Sequence, residues 1–381
     1  MSDILFLAHR VPYPPDRGDK VRSHHVMRHL STLGRVHLAS FADDPRDLGH
    51  DAALQQWCAS AVVVPRTKGN ARAAVEALAG GRAVSLAAFD YRAMRAAVAR
   101  LLAARRYEAI YVYSGQMAQY LPDNARFVMD FVDLDSAKFT AYAEDARGPM
   151  RWMMRREARL LGAFERSVAD RAQATLFVSA AEAALFGTGQ VHAVENGIDT
   201  GFFDPAAVTP VAEAGPLIVF TGQMDYRPNI DAVRWFVREV LPGVPGRFAI
   251  VGRNPSAAVR ALVGERVIVT GEVADVRGWI AAADVVVAPL LLARGVQNKV
   301  LEAMAMARPV VASTAAAEGI DHDGSIRVAG DAGAFVREVK ALLDDPVAGD
   351  TLGQAARART IARYGWDARL APLAGLMGLQ Q

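Results

Sequence analysis

The stretch from Ala288 to Ala312 reads APLLLARGVQNKVLEAMAMARPVVA, and its pattern indicates how the chain folds. An apolar run that ends at Ala288 is followed by a loop containing Gly295 and then by a segment with helical spacing. Pro309 then opens a second apolar run. Strand, helix and strand in this order predict a right-handed crossover between two parallel strands.

The same alternation of short apolar runs and helical segments continues along the chain. The expected strands are Ile4–Ala8, Val36–Phe41, Ala61–Val64, Ala109–Tyr113, Phe127–Phe131, Thr175–Val178, Leu217–Phe220, Phe248–Val251, Val267–Val269, Asp284–Ala288, Pro309–Ala312 and Ile326–Val328. The expected helices include Val21–Leu33, Tyr91–Ala104, Arg151–Arg171, Asp231–Val240, Val300–Met306 and Ala332–Leu343. This alternation is typical of parallel sheets covered by helices, so we predict an α/β fold.

The series of strands starts twice, and the second series begins at Leu217. The stretch 201–216 is rich in proline, glycine and alanine, which favours a linker. We therefore predict two Rossmann-like, doubly wound domains that face each other across a cleft, covering 1–203 and 204–365. The last helix, 366–381, is expected to pack back on the first domain. Ligands bind such sheets at the carboxyl ends of the strands.

The bulk composition excludes several classes of protein. A length of 381 residues, with 52% hydrophobic and 22% charged residues, suits two globular domains. The net charge of +2 argues against nucleic-acid binding. The single cysteine, Cys58, excludes an internal disulfide and fits a reducing compartment. Because no signal peptide or membrane-spanning run is recognisable, we expect a cytoplasmic protein.

Asn298, Lys299 and Glu302 lie in the first turns of the helix that follows Gly295. The amino end of a helix offers unpaired N–H groups and a positive dipole end, which suit a diphosphate, and Lys299 adds a full positive charge. Glu302 can accept hydrogen bonds from ribose hydroxyls. An ordinary crossover with a solvated lysine and glutamate is equally compatible with the pattern.

Three further loops follow expected strands of the second domain. Gly222 allows close backbone approach, and Arg227 can pair with phosphate. Arg253 and Gly271 lie just after the next two strands. Each loop alone is a weak signal, but their order and spacing point to one binding edge.

The stretch from Ala288 to Ala312 resembles the donor-site signature of glycosyltransferase family 4, the retaining GT-B enzymes. The family has two glutamates eight positions apart, and the resemblance implies that Glu302, matching the second, holds the ribose of a nucleotide sugar. The first glutamate, which contacts the donor sugar, falls on Arg294, so the identity of that sugar stays open. Val194–Asp199 similarly resembles the family segment that precedes the linker.

The sequence from Phe220 to Asn229 narrows the resemblance to a bacterial branch associated with exopolysaccharide and exosortase (PEP-CTERM) systems. The resemblance implies a donor site that contains, besides the residues already assigned, the following positions: Gly222, Arg253, Gly271, Arg294, Gly295, Asn298 and Lys299. It further implies that Arg227 and Lys299 stabilise the leaving diphosphate.

The segment from His9 to Arg22 follows the first strand and resembles the glycine loop of the family, with Gly18 as its glycine. The resemblance implies that this loop faces the donor phosphates across the cleft. Arg17, Lys20 and Arg22 make the loop basic. A proline-stiffened surface loop is the alternative.

Asp133 and Asp135 form an Asp-Leu-Asp sequence that resembles the metal motif of the other transferase fold, GT-A. Its place at the end of a strand in the first domain favours a different role. We assign Asp133 as an acid in the acceptor cleft, supported by Asp135 and Lys138. The alternative is that Asp135 or Ser136 caps the following helix.

Residues 147–166 form a basic amphipathic segment that includes Trp152. A packed helix with a solvated basic side is the favoured interpretation. The alternative is peripheral contact with anionic headgroups at the inner face of a membrane.

The resemblance to family 4 implies a retaining, metal-independent glycosyltransferase that needs no cofactor besides its nucleoside-diphosphate-sugar donor. It further implies a glycan or lipid-linked acceptor in cell-surface glycan synthesis. Asp133, Lys299 and Arg227 are the expected catalytic residues. Two alternatives remain: a nucleotide-sugar 2-epimerase on the same fold, and a non-catalytic nucleotide-sugar-binding partner, which the Arg294 departure favours. A dehydrogenase is disfavoured because no Gly-x-Gly-x-x-Gly follows the first strand.

Overall fold

The chain divides into two compact units, and each is built on one parallel sheet. Unit 1 comprises Met1–Asn196 with Arg369–Gln381, and unit 2 comprises Gly197–Ala368. The predicted α/β fold with two Rossmann-like domains is confirmed. The structure is a computed structural model that describes residues 2–15, 18–187, 189–293 and 296–379.

Seven parallel strands form the sheet of unit 1. They are β1 (Ser2–Ala8), β2 (Gly34–Ala42), β3 (Cys58–Pro65), β4 (Ala109–Tyr113), β5 (Val128–Val132), β6 (Ala174–Phe177) and β7 (Val191–Ala193). Their order is β3-β2-β1-β4-β5-β6-β7. Helices cover both faces of such a sheet, which explains why the central strands β1 and β4 are nearly continuous apolar runs and are buried.

The helices of unit 1 follow the strands as crossovers. They are α1 (Gly18–Leu33), α2 (Asp51–Leu54), α3 (Asn70–Ala79), α4 (Val84–Ala87), α5 (Arg92–Ala104), α6 (Asp135–Asp145), α7 (Gly148–Arg171) and α8 (Ala180–Phe186). Helix α7 contains the basic segment described above. It carries buried Leu161 and Val168 on one side and exposed Trp152 on another.

Two basic residues of the loop expected to face donor phosphates lie instead in the interior of unit 1. Lys20 Nζ contacts Asp47 Oδ1 at 2.6 Å, and Arg22 Nε donates to Asp130 Oδ2 at 3.0 Å. Each of the two basic side chains is 1% exposed. Each one neutralises a buried carboxylate, so neither side chain adds to a basic surface of the loop. Arg17 lies outside the described residues.

Six parallel strands form the sheet of unit 2, in the order β10-β9-β8-β11-β12-β13. They are β8 (Leu217–Thr221), β9 (Arg247–Val251), β10 (Val267–Gly271), β11 (Val285–Ala288), β12 (Val310–Ser313) and β13 (Arg327–Ala329). The crossover predicted from Ala288 to Ala312 joins the adjacent strands β11 and β12.

The helices of unit 2 pack against this sheet around one apolar core. They are α9 (Arg227–Trp235), α10 (Ala257–Arg260), α11 (Val276–Ala282), α12 (Asn298–Ala305), α13 (Thr314–Ala317), α14 (Ala332–Asp344) and α15 (Pro346–Tyr364), followed by α16 (Trp366–Leu370). A short last helix, α17 (Leu373–Leu376), belongs to unit 1. No helix of the described residues is both long and apolar enough to cross a membrane.

The chain enters unit 2 before the segment 201–216 that was expected to be a linker. The Ile198 N–H donates to the Tyr364 carbonyl at 2.7 Å, and within the segment the Val211 N–H donates to the Gly278 carbonyl at 3.0 Å. These backbone bonds make the whole stretch a part of unit 2.

The chain returns to unit 1 within α16, and its last described residues are held there. Arg369 forms an ion pair with Glu195 at 2.8 Å. Gln173 Nε2 donates to the Leu376 carbonyl at 2.7 Å. Unit 1 is therefore discontinuous in sequence.

Candidate functional site

A cavity of about 480 Å³ lies in unit 2 at the carboxyl ends of its strands. Residues that follow β8, β9 and β10 form part of its wall, and α12 closes another side. This is the edge where parallel sheets of this type bind ligands. The lining residues are Thr221, Gly222, Gln223, Tyr226, Asn229, Val251, Gly252, Arg253, Glu272, Val273, Val276, Gln297, Lys299 and Glu302.

Lys299 places its ammonium group in this cavity. Nζ donates to Asn229 Oδ1 at 2.5 Å and lies 4.3 Å from the centre of the Phe220 ring. Burial lowers the pKa of Lys299 to about 8, and the negative charge of Glu302 opposes that shift. A partly dehydrated cation of this kind is well suited to an anionic ligand.

Glu302 lies one turn after Lys299 on α12. Burial raises the pKa of its carboxyl, and the positive charge of Lys299 opposes the shift. None of the described residues donates a hydrogen bond to this carboxylate, although it lines the cavity. Both of its oxygens can therefore accept hydrogen bonds from a ligand that carries hydroxyl groups.

Helix α12 begins at Asn298 and presents its amino end beside the cavity. The residue before it, Gln297, makes no side-chain capping bond to the helix. The N–H groups of Val300 and Leu301 bond to the Gln297 carbonyl. The first N–H groups of the helix have no intrahelical acceptor, as at any helix start, and together with the helix dipole they favour an anion.

Two glycines lie in the part of the cavity wall that is formed by the main chain. Gly252 has φ +151°, and a Cβ there would lie 1.7 Å from the Gly222 carbonyl oxygen. Gly222 has φ +154°, and a Cβ there would lie 2.8 Å from Asn229 Nδ2 and 3.1 Å from Lys299 Nζ. Glycine is therefore required at both positions, by close approach as well as by conformation.

The structure brings four of the expected donor-site residues together in the cavity wall: Gly222, Arg253, Lys299 and Glu302. Gly271 lies beside them, since its carbonyl accepts the Gly252 N–H at 3.2 Å.

Other expected residues lie elsewhere or are not described. Asn298 is exposed at the start of α12 and does not line the cavity. The Arg227 side chain is 81% exposed and forms an ion pair with Asp231 at 2.6 Å, outside the cavity wall. Arg294 and Gly295 lie outside the described residues.

The sequence reasoning missed several polar residues of the wall. Asn229 is buried, and besides contacting Lys299 its Nδ2 donates to the Gln223 carbonyl at 2.9 Å. Thr221 Oγ1 is buried without a hydrogen-bond partner in the described chain. The available signal for Asn229 was an asparagine directly after Pro228, at the start of a helix that follows an expected strand.

Gly18 and Asp133 belong to unit 1. Gly18 is the first residue of α1. Asp133 follows β5, and its Oδ2 accepts a bond from Lys138 Nζ at 2.6 Å. Lys138 Nζ also lies 3.6 Å from Asp135 Oδ1.

The alternative interpretation, that Asp135 or Ser136 caps α6, finds no support. The N-cap position is Leu134, which has no side-chain cap. Burial raises the pKa of the Asp135 carboxyl, while Lys138 opposes that shift. The described residues contain no group of three or more His, Cys, Asp or Glu side chains placed to hold a metal ion.

The unit 2 sequence matches a known family. Residues 215–345 match the family model described as glycosyl transferases group 1. The matched residues run from β8 to α14 and include the whole cavity wall. No curated protein gave a significant match over the sequence.

Solved structures of the same fold cover nearly the whole chain. Sucrose-phosphate synthase from Thermosynechococcus elongatus is 19% identical with a TM-score of 0.58, covering 99% of this chain and 98% of that one. A glycosyltransferase from Rickettsia africae ESF-5 is 13% identical with a TM-score of 0.61, covering 99% and 97%. HepE from Anabaena, solved with UDP, is 15% identical with a TM-score of 0.58, covering 99% of both chains. The chain thus has the GT-B fold, and this fold together with the group 1 domain supports a glycosyltransferase of the GT-B type.

Proposed function

We propose that this protein transfers a sugar from a nucleoside diphosphate sugar, bound in the unit 2 cavity, to an acceptor. The observation that carries the proposal is the combination of Lys299, the amino end of α12 and Glu302 in one cavity wall. A cation and a helix amino end suit the diphosphate, and a carboxylate without a donor suits the ribose.

UDP is the first nucleotide to test. HepE, whose fold this chain shares, has been solved with UDP and with UDP-glucose. The cavity of about 480 Å³ falls within the size range of ligand pockets.

In the proposed reaction the sugar moves with retention at its anomeric carbon and without a metal ion. Negative charge develops on the leaving diphosphate, and Lys299 with the amino end of α12 stabilises it in a partly dehydrated site. Arg227 is proposed as a second cation, which requires that its side chain exchange Asp231 for the diphosphate. Asp133, held by Lys138, is proposed as the acid on the acceptor side.

The acceptor is proposed to be a glycan or a lipid-linked glycan of the cell surface, bound by unit 1. The exposed Trp152 and its exposed neighbour Arg151 on α7 support the proposal that residues 147–166 contact a membrane surface peripherally. The sequence departure at Arg294 favours one second candidate, a partner that binds the nucleotide sugar without turnover.

A two-stage experiment tests the proposal. Thermal shift with UDP-, GDP- and ADP-sugars identifies the donor, and release of free nucleoside diphosphate is then measured with and without a membrane extract. We expect Lys299→Ala to slow release and Glu302→Ala to weaken donor binding. Lys340→Ala, an exposed lysine on α14, is the matched control. Normal turnover in both site variants would disprove the assignment, and donor binding without release in the presence of acceptor would favour the binding partner.

A further inference from the structure

Unit 1 contains a groove that the proposed donor site does not use. It has a volume of about 870 Å³ and lies between α6, α7 and α8. Its floor is made of small residues, Ala137 and Ala141 from α6 and Ala158 and Gly162 from α7. Phe186 of α8 forms an apolar side wall. We call this feature the α6–α7 groove.

Glu165 is a buried carboxylate in the wall of the α6–α7 groove, and its side chain is only half satisfied. The residue is 3% exposed. Oε1 accepts the Ser136 N–H at 3.1 Å, but Oε2 has no hydrogen-bond partner in the described chain. Burial raises the pKa of this carboxyl, and hydrogen bonds from the side chain and the backbone of Ser136 oppose that shift. Because buried polar atoms are nearly always hydrogen-bonded, an unpartnered oxygen beside a groove indicates a missing donor.

Three arginines of α7, Arg155, Arg159 and Arg166, line the same groove. All three are exposed, and no carboxylate of the described residues forms an ion pair with them. Glu144 and Glu165 are the acidic residues of the lining. The arginines therefore give the groove an excess of positive charge, and their planar guanidinium groups match carboxylate or phosphate geometry.

The shape of the groove distinguishes between two kinds of anionic ligand. A membrane surface is contacted by side chains that project from a convex face. The α6–α7 groove is concave, and its floor carries only methyl groups and a glycine. Flat sugar rings can pack on such a floor, and the volume suits a ligand of several rings.

The groove and the proposed acceptor acid use neighbouring residues of one segment, although neither Asp133 nor Asp135 lines the groove. Ser136, a lining residue, follows directly on Asp135, whose Oδ1 lies 3.6 Å from the lysine that binds Asp133.

We propose that the α6–α7 groove binds an acidic oligosaccharide. A sugar hydroxyl donates to Glu165 Oε2, the anionic groups pair with Arg155, Arg159 and Arg166, and the C–H faces of the rings pack on the alanine and glycine floor. That this ligand is the acceptor rests on the proposed transferase function; the binding itself does not.

Calorimetric titration of the full chain tests the groove. The probe is tetragalacturonic acid, which carries one carboxylate per ring, and the neutral comparison is cellotetraose. We expect the acidic probe to bind about tenfold more tightly, since each charged hydrogen bond adds to affinity. Glu165→Gln keeps an acceptor for the Ser136 N–H but replaces Oε2 by a donor, and should weaken binding about tenfold.

Further variants test separately whether the charge and the shape of the groove determine binding. Arg155→Gln/Arg159→Gln should abolish the preference for the acidic probe, whereas the charge-matched Arg100→Gln/Arg151→Gln, outside the groove, should keep it. Ala141→Leu, at an exposed position of the groove lining, should block both sugars at little cost in helix propensity. UDP affinity and the melting temperature, measured on every variant, show that unit 2 and the fold are intact.

Three outcomes would overturn the proposal. The first is equal binding of the acidic and neutral probes. The second is tetragalacturonic acid binding that Glu165→Gln and Ala141→Leu leave unchanged, which would show non-specific attraction to arginines. The third is binding of the chain to phosphatidylglycerol vesicles with no binding of either sugar. If UDP binding fails while the acidic probe binds as expected, only the transferase proposal is lost.

Discussion

Asn229 accepts a hydrogen bond of 2.5 Å from Nζ of Lys299 in the wall of the unit 2 cavity. Its amide nitrogen donates in turn to the Gln223 carbonyl at 2.9 Å. The asparagine therefore joins the loop after β8 to the amino end of α12 and fixes the position of the ammonium group. Four of the following predictions concern this cavity, and the fifth concerns the core of unit 1.

UDP affinity should fall as the pH rises through about 8. The pKa of Lys299 is lowered to about 8 by burial, so the free protein loses this positive charge above that pH. A bound diphosphate favours the charged form and raises the pKa again, so binding takes up a proton and weakens with increasing pH. Calorimetry between pH 6.5 and 9.5 measures the midpoint. Lys299→Arg stays charged throughout and should remove the fall; a parallel fall in that variant would contradict the assignment.

Substitutions of Asn229 should move this midpoint in opposite directions. Asn229→Ala removes a hydrogen bond to the charged ammonium and should shift the midpoint to lower pH. Asn229→Asp places a carboxylate at the same distance and should shift it to higher pH. The exposed Asn124→Ala is the control. An unchanged midpoint in both variants would show that Asn229 does not act on Lys299.

Glu302→Ala should remove recognition of the ribose hydroxyls. We expect UDP to bind roughly ten- to a hundredfold more weakly to the variant, because a charged hydrogen bond contributes roughly 1.5–3 kcal/mol. The affinity of 2′,3′-dideoxy-UDP, which lacks both hydroxyls, should change little. Calorimetric titration of both nucleotides provides the test, and an equal loss for the two would mean that Glu302 contacts another part of the nucleotide.

Gly252→Ala should destabilise unit 2 far more than Gly271→Ala does. A Cβ at Gly252 would meet the Gly222 carbonyl oxygen at 1.7 Å, whereas a Cβ at Gly271, which also has positive φ, meets nothing within 4 Å. Gly271→Ala should therefore cost about 1 kcal/mol of backbone strain. Gly252→Ala adds a steric overlap of roughly 1–3 kcal/mol or more. Urea unfolding measures both, and similar losses would mean that the backbone relaxes at Gly252.

Asp130→Asn should destabilise unit 1 by roughly 3–5 kcal/mol, because it leaves Arg22 buried without its countercharge. The carboxylate is 0% exposed and also accepts the Tyr111 hydroxyl at 2.6 Å. Asp123→Asn is the matched control, since Asp123 pairs with Arg171 at the surface and should contribute less than about 1 kcal/mol. A urea midpoint in Asp130→Asn close to that of the control would contradict the structural role.

Most of the fold could be predicted from the local pattern of apolar residues in the sequence. Twelve strand positions were expected and each has a strand, because a buried parallel strand is a short apolar run between turn signals. Among the elements that were not expected, two illustrate the physical cause. β7 (Val191–Ala193) is a short edge strand that is only partly buried, and α15 has a weak apolar periodicity, so neither shows a strong pattern.

The site was less accessible to sequence reasoning because its partners are distant in the chain. Lys299 and Asn229 are 70 positions apart, and Arg22 and Asp130 are 108 apart. From the sequence alone, a basic residue near the end of a strand that binds a ligand cannot be distinguished from one that pairs with a buried carboxylate. The pairing of Arg227 with Asp231, by contrast, is an i, i+4 contact that helical spacing indicates directly.

The discontinuity of unit 1 has a consequence for biosynthesis. Gln173 and Glu195 hold residues of the last stretch, Arg369 and Leu376, so unit 1 gains these bonds only when that stretch is available. During translation, the whole of Gly197–Ala368 is synthesised before that stretch. Unit 1, most of which is translated before unit 2, therefore gains its last bonds only after unit 2 has been translated.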